Sequence, residues 1–119
     1  KRLDIPTKIA RTAADLDNAQ KLILPGVGAF RRAMTSLNKT GISDAIIEAV
    51  SRKKSKILGI CLGMQLLGTY SEESKGVKGL NIIPGTSNKL VKQLKENIPN
   101  MGWASTIPKL DNDLNILSR

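Results

Sequence analysis

Short apolar runs alternate with stretches of helical apolar spacing over the first 70 positions of the chain. The apolar runs predict strands at 21–24, closed by Pro25 and Gly26, and at 57–60. The helical spacing predicts helices over 30–37, 44–52 and 62–70. Alternation of this kind is typical of an α/β fold, in which a mostly parallel sheet is flanked by helices and its strands are buried.

The remaining segments carry weaker patterns. Residues 1–18 predict a partial strand and then a short helix or turn around 13–18. Beyond Ser71 we expect a short strand with a turn over 79–85 and a more exposed strand over 88–94, before a weakly patterned tail over 108–119. Ser43 is the residue type that caps helices, so it is expected to cap the helix at 44–52. With no repeat or linker, the pattern predicts one domain over 1–119.

The charge is strongly positive, and this raises the question of an acidic partner. The chain has 19 Lys+Arg and 10 Asp+Glu, for a formal net charge of +9. The lysines and arginines are dispersed, however, and Phe30, Tyr70 and Trp103 are the only aromatic residues. A surface that stacks nucleic-acid bases is therefore disfavoured, and the lysines are interpreted as solvated side chains on helix faces. No apolar stretch approaches the roughly 20 residues of a membrane helix.

The numbers of cysteines and histidines limit which disulfides and metal sites the chain can form. There is one cysteine and no histidine in the 119 residues. A single cysteine excludes an internal disulfide, and the pair of counts disfavours a metal site, so neither a metal nor a cofactor is expected. The composition also fits a reducing compartment such as the cytoplasm.

The lone cysteine lies in the segment 59–63 (GICLG), which joins the predicted strand at 57–60 to a predicted helix. Glycines two places either side of Cys61 permit a sharp turn, because a side chain there would collide with neighbouring backbone. This is the arrangement of a nucleophile elbow, with cysteine in the place of serine. A thiol at a helix N-terminus is stabilised as the reactive thiolate. The alternative is an inert, buried cysteine, which is common in small proteins.

A second glycine pair follows the other strand, at Gly26 and Gly28. Such a loop lets backbone N–H groups approach a ligand closely. An elbow nucleophile commonly stabilises its oxyanion with the N–H group of the next residue, here Leu62, and with one from a loop after a neighbouring strand. The loop around Val27 and Gly28 is suited to supply that second donor, although a simple turn that ends the strand explains it as well.

Four segments together resemble one family. They are 24–30 (LPGVGAF), 59–67 (GICLGMQLL), 71–73 (SEE) and 99–103 (PNMGW). In this order and spacing they are similar to the glutaminase subunits of imidazole glycerol phosphate synthases, which are class I (triad) glutamine amidotransferases. The resemblance extends from about residue 9 to residue 103. It implies a class I glutamine amidotransferase fold, which is flavodoxin-like.

The resemblance also implies a reaction and a set of residue roles. Glutamine would be hydrolysed to glutamate and ammonia, and the ammonia would pass through a channel to a cyclase subunit with a (β/α)8 barrel, the partner in a heterodimer. The implied roles are nucleophile for Cys61; oxyanion donors for Leu62, Val27 and Gly28; substrate binding for Gly26, Gln65 and Glu73; and partner contact for Met101 and Trp103. For Glu73, a solvated acidic loop is an equal alternative.

Three departures from the family pattern limit what this chain is expected to do alone. The family's catalytic His and Glu follow the Gly-Trp motif, and its first strand precedes the position of Lys1. Asn100 and Ala104 stand where relatives usually carry His and Asn. We therefore expect a partial domain, truncated at both ends and inactive by itself. Two alternatives stay open: a related glutaminase that feeds a sugar amidotransferase, and an inactive remnant that keeps only the fold.

Overall fold

The computed structural model describes residues 4–90, 103 and 105. Two compact units divide the chain, at 1–89 and 90–119. In the second unit only residues 90, 103 and 105 are described, so the fold below is that of the first. The predictions for 91–94 and for the tail over 108–119 lie outside the described residues.

Two parallel strands form the centre of the first unit. Strand β1 (Lys21–Gly26) pairs with β2 (Lys56–Cys61), from Lys21 opposite Lys56 to Gly26 opposite Cys61. Helices α1 (Phe30–Lys39) and α2 (Ile42–Ser51) connect the strands, and α3 (Leu62–Leu67) follows β2 without a break. The predicted α/β fold with parallel strands is confirmed.

Short elements complete the unit. A 3-10 helix at Ala13–Leu16 precedes β1. After α3, the chain forms β3 (Tyr70–Ser71), a second 3-10 helix at Glu72–Ser74 and β4 (Thr86–Ser87), which pairs in parallel with β3. No helix in the described part of the chain is long and apolar enough to cross a bilayer.

The core lies on one face of the β1–β2 pair. Buried residues from the helices and adjoining loops form it: Leu16, Phe30, Met34, Ile46, Leu62, Leu66, Leu67 and Leu80. Leu22, Leu24 and Ile57 point from the strands into this cluster. On the opposite face Ile23, Leu58 and Ile60 are 61%, 52% and 47% exposed. The strands predicted to be buried are thus covered on one face only by the described residues.

The segment 79–85 is not a strand, and this prediction was wrong. The N–H groups of Leu80 and Ile82 instead donate to the carbonyl oxygens of Leu66 and Leu67, at 2.8 Å and 2.9 Å. These bonds satisfy carbonyl groups that the end of a helix leaves without partners. They also explain why α3 ends at Leu67 rather than at residue 70 as predicted.

Three further predictions about the elements were wrong. Residues 4–11 form no strand, and residues 88–90 form none either. Helix α2 begins at Ile42, with Gly41 as its N-cap at φ 70°, and Ser43 is buried within the first turn. Glycine adopts this left-handed conformation without strain, so α1 and α2 join through a tight turn that needs no serine cap.

Acid should loosen the 3-10 helix at Ala13–Leu16. The Lys8 ammonium, 2.7 Å from the carboxylate, and N–H and O–H donors from Arg11 and Thr12 hold the pKa of Asp15 well below its usual range. A depressed folded-state pKa contributes stability above the unfolded value of about 3.9, and that stability is lost as the pH falls below it.

We therefore expect Asp15→Asn to lower the melting temperature near neutral pH. The gap to the unsubstituted protein should shrink as the pH is lowered from about 4 to about 2. Thermal unfolding followed by circular dichroism across this range measures it, with Asp4→Asn in the exposed N-terminal segment as the control. A difference in melting temperature that stays constant with pH would contradict the lowered pKa of Asp15.

Candidate active site

Strands β1 and β2 end at the same edge of the sheet, and the two glycine motifs meet there. Gly26 and Cys61, the last residues of their strands, are register partners. Parallel strands bring their carboxyl ends together, and in open α/β sheets this is the edge where ligands bind. The structure therefore brings Cys61 beside the loop that begins after Gly26.

Cys61 has an unusual backbone conformation. It is the N-cap of α3 with φ 55° and ψ −119°, and its thiol-bearing side chain is exposed. A positive φ in a residue other than glycine costs on the order of 1–3 kcal/mol and persists only where the surroundings enforce it. The thiol is neither buried nor paired in a disulfide, so the inert buried cysteine considered above does not describe it.

The glycines of 59–63 are required by close backbone approach, as the sequence predicted. A Cβ on Gly59 would lie 2.6 Å from the Met64 Cα, and a Cβ on Gly63 would overlap the Leu24 carbonyl oxygen. Neither contact is possible between real atoms without movement of the backbone. The first turn of α3 therefore packs directly on β1 and β2, which fixes the bend at Cys61.

Gly26 contributes to the same packing. A Cβ there would lie 3.0 Å from the backbone nitrogen of Gly63 and 3.0 Å from the Leu62 Cβ. A side chain at this position would therefore press on the first two residues of α3. The family resemblance implies a role for Gly26 in substrate binding. These contacts indicate a second role, because they help to position the turn that carries Cys61.

Buried side chains hold α3 in position. Leu62, Leu66 and Leu67 are each at most 3% exposed, and all three belong to the core. Each fully buried leucine contributes about 1.5–3 kcal/mol of hydrophobic stabilisation. The sum is enough to offset the backbone strain at Cys61 and to keep the thiol on the surface.

The loop after β1 is anchored at both ends and open at its centre. Phe30, which begins α1, is completely buried, whereas Val27 is 92% exposed. Gly28 has φ 97°, and no atom lies within 4 Å of the position a Cβ would take. The backbone of the Val27–Gly28 peptide is thus unobstructed next to the Cys61 edge.

For the other predicted site residues, the structure describes no contact that tests their roles. Gln65 lies one helical turn after Cys61 and is half-buried. Glu73 is exposed in the 3-10 helix Glu72–Ser74, whose main contacts are with α1 and β4. Trp103 is fully exposed, and Met101 lies outside the described residues. The roles predicted for these four residues stay predictions.

The segment 79–82 supports the site through contacts that the sequence pattern did not predict. Gly79 lets its chain approach the end of α3, because a Cβ there would lie 2.9 Å from the Leu66 carbonyl oxygen. Together with Leu80 and Ile82 it closes the C-terminus of the helix that carries Cys61. A glycine directly before two spaced apolar residues is the signal in the sequence, and the same pattern is typical of a strand.

Within the described residues, no group of three or more acidic, cysteine or histidine side chains is placed to hold a metal ion. The groups that the described residues offer at this edge are the Cys61 thiol and backbone N–H groups. An exposed thiol on a constrained turn is suited to nucleophilic attack, and N–H groups beside it are suited to stabilise an oxyanion.

The chain is similar to known proteins over most of its length. Residues 2–107 match the family model of the CobB/CobQ-like glutamine amidotransferase domain. The chain is 38% identical over 114 residues to imidazole glycerol phosphate synthase subunit HisH 2 of Pseudomonas aeruginosa, covering 96% of this chain and 56% of that protein. It is 41% identical over 121 residues to subunit HisH of Bdellovibrio bacteriovorus, covering 96% and 57% respectively.

A plant relative is also similar. The chloroplastic imidazole glycerol phosphate synthase hisHF of Arabidopsis thaliana is 42% identical over 103 residues, which are 87% of this chain and 17% of that protein. The chain thus spans little more than half the length of the two bacterial relatives. The resemblance found in the sequence motifs is confirmed, and the matched residues make up most of the chain. The protein therefore belongs to the CobB/CobQ-like glutamine amidotransferase domain family.

Proposed function

We propose that the protein acts as the glutaminase of an imidazole glycerol phosphate synthase. It hydrolyses glutamine to glutamate and ammonia, and a cyclase subunit uses the ammonia to make imidazole glycerol phosphate and AICAR in histidine biosynthesis. The observation that carries the proposal is the exposed Cys61 at φ 55°, in register with Gly26 at the carboxyl edge of the sheet. The names of the relatives support the same assignment.

The first chemical step is nucleophilic attack by Cys61, at the turn that we interpret as a nucleophile elbow. The thiolate sulfur forms a bond to the side-chain carboxamide carbon of glutamine, and the C=O electron pair moves to oxygen. The resulting oxyanion accepts hydrogen bonds from the N–H of Leu62 and from an N–H of the Val27–Gly28 segment. Removing one such donor typically costs about 100- to 1,000-fold in turnover.

Collapse of the tetrahedral intermediate releases ammonia and leaves a glutamyl thioester on Cys61. Water then attacks the thioester, which releases glutamate and regenerates the thiol. The departing nitrogen needs a proton, and this chain has no histidine to carry it. In the proposal, the group that moves this proton comes from outside the 119 residues.

The proposal also assigns residues to contacts with the substrate and with the partner. Gly26 and Gln65 flank Cys61 in the fold and are assigned to the glutamine side chain, and Glu73 to its amino group. Met101 and Trp103 are assigned to contact with the cyclase, which we propose to be a (β/α)8 barrel that receives ammonia through an internal channel. The heterodimer would act in the cytoplasm and require no cofactor for the glutaminase step.

A reconstitution experiment tests this function. The whole protein is mixed with a barrel cyclase from the same organism, and imidazole glycerol phosphate is measured with glutamine or with an ammonium salt as the nitrogen source. We expect both to support synthesis, and the two proteins to co-purify. If glutamine supports no synthesis here but does so with a sugar amidotransferase, the alternative acceptor replaces the proposal.

Gly28→Val should reduce turnover more than stability. No atom lies near a Cβ at this position, so folding should lose only the cost of a left-handed conformation, about 1–2 kcal/mol. A β-branched residue, however, restricts the backbone freedom that aims the N–H at the oxyanion, and we expect at least a 100-fold loss of glutaminase turnover.

The measurement pairs steady-state glutaminase assays with urea unfolding of the whole protein. Gly41→Val is the matched control, because Gly41 has φ 70°, equally open surroundings and lies in the turn between α1 and α2, where no site residue is assigned. It should lose similar stability and keep its turnover. Equal losses of turnover in the two variants would contradict the role given to Gly28.

A further inference from the structure

A cleft rich in lysine lies at the end of the β1–β2 sheet opposite to Cys61. It is open, has a volume of about 440 Å3, and is lined by residues 17–21 and 53–56. We call it the basic cleft. Lys56 and Cys61 are the first and last residues of β2, so about 17 Å of extended strand separates the cleft from the thiol.

The lining of the basic cleft carries an excess of positive charge. It holds four lysines, Lys21, Lys53, Lys54 and Lys56, and one carboxylate, Asp17. The Lys53 Nζ lies 3.3 Å from the Asp17 carboxylate and also donates to the Asp17 carbonyl oxygen at 3.0 Å. Within residues 4–90, no salt bridge engages the other three lysines.

Two of these lysines are held against each other by the sheet. Lys21 and Lys56 are register partners on adjacent parallel strands, and both are exposed on the same face. Neighbouring strands lie about 4.8 Å apart, and like charges directly opposite each other destabilise a sheet. An anion that binds between the two ammonium groups would relieve this repulsion and gain charge-assisted hydrogen bonds.

The surroundings favour a small anion over a long one. A second cleft of about 380 Å3 adjoins the first, shares Asp17 and Lys53 with it, and is lined by Asp44 and Glu48. A polyanion that runs past the basic cleft in that direction would meet these carboxylates. No aromatic residue lines the basic cleft, so nothing there offers a stacking surface to a nucleobase.

We propose that the basic cleft binds a small, multiply charged phosphate anion, with Lys21, Lys54 and Lys56 as the donors. The ligand class is a di- or triphosphate group, either free or as part of a phosphorylated metabolite. This site is separate from the thiol edge and does not depend on the function proposed above.

Isothermal titration of the whole protein with tripolyphosphate at low ionic strength tests the proposal. Lys21→Gln/Lys56→Gln should weaken binding at least about tenfold. The control Lys39→Gln/Lys78→Gln removes the same net charge from exposed positions outside the cleft and should weaken binding less than about twofold. Alkylation of Cys61 should proceed at the same rate in all three proteins.

Two comparisons complete the design. A sugar that carries a diphosphate group and no base, titrated beside tripolyphosphate, distinguishes a metabolite from the free anion, and tighter binding of either supports the site. Absence of tripolyphosphate binding would overturn the proposal. Equal weakening in the cleft and control variants would also overturn it, because it would show that binding depends only on net charge. Binding of oligothymidylate that depends on Lys21 and Lys56 without binding of tripolyphosphate would also overturn it, in favour of a nucleic-acid surface.

Discussion

Replacing Cys61 with alanine in the whole protein is expected to reduce glutamine-dependent synthesis at least about 1,000-fold. In the proposed reaction the Cys61 sulfur forms the covalent bond to the substrate, and alanine offers no nucleophile. Cys61→Ser should lose a similar amount, because a hydroxyl is a far weaker nucleophile than a thiolate without an adjacent base. Synthesis from added ammonium salt should stay within about twofold, since the proposal places the acceptor reaction on the partner.

This pair of assays separates chemistry from structure. Both substitutions keep a β-carbon on the same strained backbone, so the stability of α3 and of its contacts with β1 should change little. Size-exclusion analysis with the cyclase supplies the control for assembly. Loss of the ammonium-dependent reaction along with the glutamine-dependent one would contradict the division of labour between the two subunits.

The second large effect is expected for Gly63→Ala. The added Cβ would overlap the Leu24 carbonyl oxygen, and backbone on both sides of the contact leaves no flexible group to move away. We expect a loss of at least about 3 kcal/mol in the free energy of unfolding, at the upper end of the range for overpacking. Displacement of α3 should also lower reactivity at Cys61.

Gly41→Ala is the matched control for this substitution. Gly41 has φ 70° and open surroundings, so the same exchange there adds only the strain of a left-handed residue, about 1–2 kcal/mol. Urea unfolding of the two variants measures the difference. If Gly63→Ala is no more destabilising than Gly41→Ala, then α3 does not pack on β1 as closely as described.

The parts of the fold that could be predicted from the sequence are those that short segments determine. The apolar runs at the two strands and the glycine spacing around Cys61 specify a strand that turns sharply into a helix, and neighbouring carboxyl ends follow from parallel pairing. The prediction of a strand at 79–85 was wrong because Leu80, Ile82 and Ile83 have the apolar character of strand residues. Their N–H groups bind the end of α3 instead, a contact between segments that local pattern does not encode.

The candidate site shows the same limit. The positive φ of Cys61 results from α3 packing on both strands, and residue type alone would argue against it. Ser43 was assigned as a cap because serine favours that position, whereas the left-handed Gly41 made the turn without it. The roles predicted for Glu73, Met101 and Trp103 stay predictions, because these residues lie distant from Cys61 along the chain and local sequence does not show what they contact.

Covalent labelling would show whether the Cys61 thiol attacks glutamine. The whole protein is incubated with a diazo-ketone analogue of glutamine, with and without excess glutamine, and its adducts are located by peptide mass spectrometry. We expect a single adduct in this chain, on the Cys61 sulfur, formed rapidly and prevented by glutamine. An unlabelled Cys61, or labelling that glutamine does not slow, would show that this thiol does not attack glutamine.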